Sequence, residues 1–328
     1  MKFILRRVSM FLFTLWAALT LNFFIPRFMP GNPLLSLEAR TRGRMSHAAL
    51  ADMLASFGYK PDSNWFVQYV TYLKDMVTGN WGVSIAVDLG EPVRTMVFQA
   101  LPWTLGLIGI TTVLAFAAGT VIGIVAGWRR GGRLDSWLPS TFVITSALPY
   151  FVLGMLLILV LSNWYNLLPG DDTYNTNILP GLSPGFIGSV LQHAILPAAA
   201  LLITSIGGWI LTMRNNMITT LAEDYVRMGR AKGLSNRKIM YGYAARNAML
   251  PNISGFAMSL GFVLSGAILV EYVFNYQGVG YMLLNAVSDS DYPVMQVLFM
   301  LYTVAVLLAI LAADFVMVWL DPRARAKG

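Results

Sequence analysis

The side chains best placed to do chemistry lie between Glu223 and Pro251, in EDYVRMGRAKGLSNRKIMYGYAARNAMLP. From Arg214 to Arg246 there are seven of the chain's 23 Lys and Arg residues and only two acids, Glu223 and Asp224. Such a segment cannot lie in hydrocarbon, where one charge at the centre of a membrane helix costs about 2.5–3.5 kcal/mol. It offers neither a nucleophile beside a base nor a metal-ligand set. What it offers is a charged docking surface with an apolar side made by Tyr225, Val226, Met228, Ile239, Met240 and Tyr243. A solvated basic loop that merely obeys topology rules is the plainer reading. The length and apolar content favour a folded element that docks a partner.

Other chemistries are excluded by residue type. His47 and His193 are the only histidines and stand far apart, so no metal-ligand spacing and no Ser/His/Asp arrangement exists; both read as helix-start residues on the outer side. There is no cysteine, which removes disulfides and thiol chemistry. No lysine follows a glycine, so the phosphate-cradling G-x-x-x-x-G-K-[ST] loop is absent, and no cofactor is expected. If ATP drives this protein, another chain binds it.

The elements that must position the basic segment are apolar. Of 328 residues 56% are hydrophobic and 12% charged, with a mean hydropathy of +0.61. Soluble domains carry roughly 25% charged residues, so the composition points to an all-α polytopic membrane protein. A net charge of +7 does not argue for nucleic acid, because the charges cluster at the ends of apolar runs, where topology signals and anionic headgroups act. Six segments suffice to cross a core of about 30 Å: 8–28, 101–127, 137–162, 194–213, 252–273 and 294–318. The first follows Lys2, Arg6 and Arg7 like a signal peptide, yet its apolar run is too long and lacks a small-x-small cleavage site, so it reads as a retained span. Sixteen cations fall at the N-terminus, in the loop 128–136, in the loop 214–251 and at the C-terminus, and none in the loops 163–193 and 274–293. Both termini and the basic loop are therefore expected in the cytoplasm.

The extracytoplasmic loop 30–100 is expected to be helical. Ser46 would cap one helix running to Phe57 before Gly58. A second is expected from Asn64 to Val77 with Phe66, Val67, Val70, Leu73 and Val77 on its apolar side, before the turn GNWG. The basic segment itself reads as two helices joined at Gly233. One covers 221–232; the other is capped by Ser235 and runs to Ala248, with Gly233 as the left-handed residue that reverses the chain and Pro251 opening the fifth span. Gly119, Gly123 and Gly127 form a small-xxx-small stripe whose first meaning is close packing within the chain, ahead of contact with a partner. Hydroxyls on apolar spans (Thr111, Thr112, Thr145, Ser146, Thr204, Ser205, Ser259, Ser265) either line a solute path or bond their own helix backbone. Asp314 is expected to pair with a C-terminal Arg, and Glu271 is the one acid in the fifth span.

Several long motifs, in order, make the chain resemble a permease subunit of the dipeptide/oligopeptide class of ABC importers. They are FILRR, PRFMPGNP (Pro26 to Pro33), QYVTYLKDMVTGNWGVS, LPWTLGL, RRGGRLD, DYVRMGRAKGLSNRKIMYGYAARNAMLP, EYVFNYQGVGYMLLNAV, DYPV and LDPRAR. The resemblance implies a type I ABC importer permease fold of six transmembrane helices in the inner membrane of a bacterium or archaeon. It implies a second homologous permease, two ATP-binding subunits at the cytoplasmic face and an extracytoplasmic solute-binding protein. The basic segment is similar to the family's EAA loop, so ATPase coupling falls within 222–234, on Glu223, Asp224, Tyr225, Arg227, Arg230, Ala231, Lys232, Gly233 and Leu234. Here Arg227, Met228 and Gly229 stand where E-A-A would fall. By the same resemblance the stretch after the fifth span lines the outer mouth, so that Glu271, Asn275 and Tyr276 face solute; an interfacial acid that caps a helix is the competing reading for Glu271. The class includes permeases for peptides, nickel complexes and cello- or manno-oligosaccharides, and PRFMPGNP resembles oligosaccharide-importing members. A self-sufficient channel or secondary transporter would show inverted repeats or paired midplane charges, and neither is visible. A membrane scaffold would leave the folded basic loop without a purpose.

Overall fold

The computed structural model describes residues 2–28, 49–50, 52–53, 64–132, 137, 141–142, 147–261, 263 and 268–320. Among them the ordered structure is helical, and the only strand-like pairing is the single bridge between Val83 and Pro92. The helices are α1 (Lys2–Phe28), α2 (Trp65–Thr78), α3 (Val93–Trp128), α4 (Tyr150–Trp164), α5 (Pro184–Leu221), α6 (Asp224–Ala231), α7 (236–261), α8 (Ile268–Val273), α9 (Val279–Asp289) and α10 (Tyr292–Leu320). Within α1, α3, α5 and α10 lie stretches long and apolar enough to cross a membrane, and α4 is a shorter apolar helix.

Several helices outrun the apolar segments they contain. At about 1.5 Å per residue the 38 residues of α5 extend about 57 Å, nearly twice a hydrocarbon core. The expected span 194–213 is therefore the middle of a longer rod that ends only at Leu221. α3 begins at Val93, inside the expected loop, and Pro102 does not end it. Pro102 has no N–H for the Phe98 carbonyl, and the helix widens into a π-helical turn over Leu105–Gly109. Most of 137–149 and of 262–267 lies outside the described residues, so the fifth expected span is seen as 252–261 of α7 and as α8.

The chain divides into two units. The first comprises Met1–Thr104, Leu264–Tyr272 and Gln277–Leu308; the second comprises Leu105–Val263, Val273–Tyr276 and Ala309–Gly328.

In the first unit α1, α2, the start of α3, α9 and α10 share a core that includes Phe23, Val97, Leu283 and Leu298. α2 is capped at both ends, and it begins one residue later than expected, because Asn64 is its cap. The Asn64 side chain accepts from the Phe66 N–H at 2.8 Å, and Gly79 closes the helix in the left-handed region at φ +76°. Its buried face, however, differs from the expected one. Tyr69, Tyr72, Leu73 and Met76 pack inward, while Phe66, Val67, Val70 and Val77 are exposed. The reason is what α1 presents: Thr20 shares a hydrogen bond with the Tyr69 hydroxyl at 2.7 Å, and the Phe23 ring lies 5.3 Å from that of Tyr69 and 5.5 Å from that of Tyr72. A period-based reading ranks Tyr below Val and misses that match of ring and hydroxyl. The helix expected from Ser46 to Phe57 falls largely outside the described residues, although Leu50 is buried.

In the second unit the glycine stripe of α3 meets α5. A Cβ on Gly119 would lie 2.5 Å from Trp209 Cβ, one on Gly123 2.7 Å from the Ile210 carbonyl oxygen, and one on Gly127 2.6 Å from Met217 Cβ. The stripe thus serves close packing within the chain. Buried Asn252 of α7 donates to Thr120 of α3 at 2.9 Å, and Met213, Met217, Ala244 and Ala248 form a shared core. His193 does not open a helix. It sits within α5 with Nδ1 2.7 Å from the Ser189 carbonyl oxygen, a structural bond.

Candidate functional site

α6 is a short helix held at two points. Glu223 precedes it in extended conformation, Asp224 supplies a negative charge to its first turn and Arg230 a positive one to its last, both favourable to the helix dipole. Val226 and Gly229 are buried, and these fix the helix to its unit. Glu223, Asp224, Tyr225, Arg227, Arg230, Ala231 and Lys232 are all exposed. The helix ends in a Schellman turn, in which the Leu234 N–H reaches the Gly229 carbonyl at 3.3 Å and the Gly233 N–H reaches that of Arg230 at 2.9 Å. This places Gly233 at φ +75°, a conformation that strains any residue with a Cβ.

Beyond the turn the expected second helix is longer than the sequence implied. Ser235 does precede it, but its side chain makes no capping bond. The helix does not stop at Ala248; it runs through a π-helical stretch, Ile239–Ala245, and on past Pro251 to Gly261. Pro251 lies inside the rod rather than at its start, so α6 is linked by one rigid helix to the apolar segment that follows. The first helix is shorter than 221–232, because α5 ends at Leu221 and α6 begins only at Asp224, after Glu223. Asn247 donates to the Tyr225 hydroxyl at 2.9 Å, tying α6 to α7. The Arg227–Asp224 pair, at 3.5 Å between exposed groups, adds little.

Glu271 lies at 0% exposure, with a complete set of donors. The Thr104 hydroxyl donates to Oε1 at 2.6 Å, and the Gly280 and Tyr281 N–H groups donate to Oε2 at 2.7 and 3.2 Å. Thr104 Oγ1 in turn accepts from the Val279 N–H at 2.8 Å. The first three N–H groups of α9, which no turn of its own can satisfy, thus end on Glu271 and Thr104. The glycines of FNYQGVG follow from this arrangement: a Cβ on Gly278 would collide with the Glu271 carboxylate, and one on Gly280 would lie 2.7 Å from Ile268 Cα. Asn275, in the second unit, is exposed at φ +50° and donates to Asp172 at 2.8 Å, while Tyr276 is buried. Ser259 donates to the Phe256 carbonyl at 2.8 Å, and Thr111, Thr204 and Ser205 likewise bond their own helices. Thr145, Ser146 and Ser265 lie outside the described residues.

Sequence reasoning missed a second buried carboxylate. Asp291 Oδ2 accepts from the Ser84 hydroxyl at 2.5 Å and from the Ile85, Ala86 and Val87 N–H groups at 3.1, 2.9 and 3.0 Å. Its Oδ1 accepts from Val294 N–H at 3.3 Å, which caps α10. An Asp before Tyr-Pro at the start of an apolar run is a readable cap signal; its grip on a loop 204–207 residues away is not. Among the described residues no cluster of three His, Asp or Glu side chains is arranged for a metal.

Long apolar rods, in a chain whose described elements are helices, with a cationic helix on the loop between two of them, define a multi-pass helical protein of the cell membrane. Residues 119–326 match the family of binding-protein-dependent transport system inner membrane components, and the chain belongs to that family. It is similar to the oligopeptide transport system permease protein AppB of Bacillus subtilis (strain 168), 31% identical over 324 residues that cover 98% of each chain. It is similar as well to the dipeptide transport system permease protein DppB of Escherichia coli (strain K12), 31% identical over 344 residues covering 100% of this chain and 99% of that one. A third relative, the dipeptide transport system permease protein DppB of Lactococcus lactis subsp. cremoris (strain MG1363), is 29% identical over 326 residues and 99% of each.

Proposed function

We propose that this chain is the permease subunit of an ATP-driven, binding-protein-dependent importer of di- and oligopeptides in the inner membrane of a bacterium or archaeon. The observation that carries the reading is similarity along the whole length to permeases named for dipeptides and oligopeptides. In this reading the chain has six membrane helices, both termini and residues 214–251 face the cytoplasm, and 30–100 face outward. A second, homologous permease completes the solute path, two ATPase subunits sit below, and a solute-binding protein delivers from above. The chain itself hydrolyses nothing.

Residues 223–234 are the coupling element. An ATPase can bias a permease only through contacts that differ between its two states. α6 suits that task because its residues are exposed and the Schellman turn that ends it leads directly into the long helix α7. Glu271 is best supported as a helix cap, since all its oxygens are engaged inside the fold.

The test is reconstitution with the partner subunits in proteoliposomes. Peptide-loaded binding protein should stimulate ATP hydrolysis and peptide uptake together. Uptake of cello- or manno-oligosaccharides but not of peptides would overturn the peptide assignment and leave the importer standing. Uptake without partner subunits or ATP would establish a channel or secondary transporter instead.

A further inference from the structure

Trp128 ends α3 beside the start of α7, and the two helices border an open cavity of about 270 Å³. Val125, Trp128 and Met240 make its apolar wall. Arg129, Arg237, Asn236 and Tyr241 make up the rest of its described lining. A third guanidinium, Arg230 of α6, lies 5.9 Å from the centre of the Trp128 ring. Among the described residues no acid lines the cavity. The nearby acids do not compensate: Asp224 faces Arg227, and Glu223 is exposed ahead of α6. Neither Arg129 nor Arg237 has a side-chain partner among the described residues.

We propose that this cavity binds the phosphate headgroup of an anionic phospholipid. Arg129 and Arg237 meet the phosphate, which a planar guanidinium matches with two parallel N–H donors. Val125, Trp128 and Met240 take the first carbons of an acyl chain. Free phosphate would need the cations without the apolar wall; a lipid needs both. The position also suits a lipid, because Trp128 closes an apolar helix just before Arg129 and Arg130, and basic pockets between membrane helices collect anionic headgroups. With Arg230 at the same ring, the bound headgroup joins the ends of α3 and α7 to α6. If α6 couples to an ATPase, as the proposed function has it, anionic lipid steadies the coupling element.

The experiment uses the full chain, purified from vesicles of phosphatidylglycerol and phosphatidylcholine, with bound lipid counted by native mass spectrometry. Wild-type protein should retain phosphatidylglycerol in preference to phosphatidylcholine. Arg129→Gln with Arg237→Gln should lose that retention by about thirtyfold, since each of two cations near the surface contributes roughly fivefold to anionic-lipid affinity. Arg129→Lys with Arg237→Lys should fall between wild type and the Gln pair, since the charge stays while the paired donors are lost, and Lys74→Gln with Arg94→Gln, an equal charge loss elsewhere, should change nothing. Equal retention in the two Gln pairs overturns the proposal. So does complete displacement of the lipid by millimolar inorganic phosphate, which would mark a plain anion site. A Gln pair that keeps its lipid but no longer co-purifies with ATPase subunits would assign the groove to a protein interface and overturn the lipid. Lipid retention is read on this chain alone, so its failure is distinct from failure of the transport reading.

Discussion

Replacing Asp291 should loosen the loop 84–88 far more than it loosens the rest of the first unit. One carboxylate oxygen holds the Ser84 hydroxyl and three consecutive main-chain N–H groups. Ile85 and Ala86 are buried, so in Asp291→Ala at least two N–H donors lose their acceptor where water enters poorly. An orphaned buried donor costs about 1–3 kcal/mol; two, partly relieved by water, come to about 3 kcal/mol, or roughly a hundredfold in a local opening equilibrium. Asp291→Asn keeps a carbonyl oxygen in place but loses the charge that strengthens each bond, for about 1–2 kcal/mol and roughly tenfold. Hydrogen exchange by mass spectrometry on the full chain reads both. Amides of 85–87 should exchange about a hundredfold faster in Asp291→Ala and about tenfold faster in Asp291→Asn, with those of 297–300 in α10 unchanged. Wild-type protection at 85–87 in the Ala variant would refute the reasoning, because the carboxylate would then not be what holds that loop.

Three further outcomes follow from the same geometry. Gly123→Ala should lower the unfolding midpoint in detergent by an overpacking cost of about 1–3 kcal/mol, since its Cβ meets the Ile210 carbonyl, while Gly208→Ala, which has open space, should be near neutral. Gly233→Val should strain the Schellman turn by about 1–2 kcal/mol, as should any β-branched residue; with Arg230→Glu and Lys232→Glu it should leave the complex assembled yet separate ATP hydrolysis from uptake, and normal uptake in these variants would sink the coupling role. Glu271→Ala should lower thermal stability with little change in the peptide KM, whereas a changed KM at unchanged stability would return Glu271 to the solute path.

What the sequence made legible was mostly local. The helix expected from Asn64 to Val77 forms as α2, with Asn64 as its cap and Gly79 as its left-handed end, and Gly233 takes the left-handed position that its place after a charged helix implied. The stripe Gly119, Gly123, Gly127 signalled a close helix approach, and the structure supplies only the partner, α5. What stayed hidden depends on contacts distant in sequence. The inward face of α2 is chosen by Thr20 and Phe23, about fifty residues away. Glu271 is separated from Thr104 by 167 residues, so nothing local distinguishes a cap from a mouth residue. Pro251 misled for a different reason: a proline before an apolar run reads as a helix start, whereas here it lies inside the continuous helix Arg246–Gly261.

The central claim is that α6 meets an ATPase subunit. The chain has no cysteine, so Ala231→Cys places a single reactive thiol on the exposed side of α6 without altering its buried anchors. Cross-linking in membranes that contain the whole importer should join Ala231→Cys to an ATP-binding subunit, in a yield that changes when nucleotide is added. The same thiol at exposed Val77 of α2 should leave that subunit untouched. An adduct with the ATP-binding subunit from position 77, and none from 231, would contradict the account.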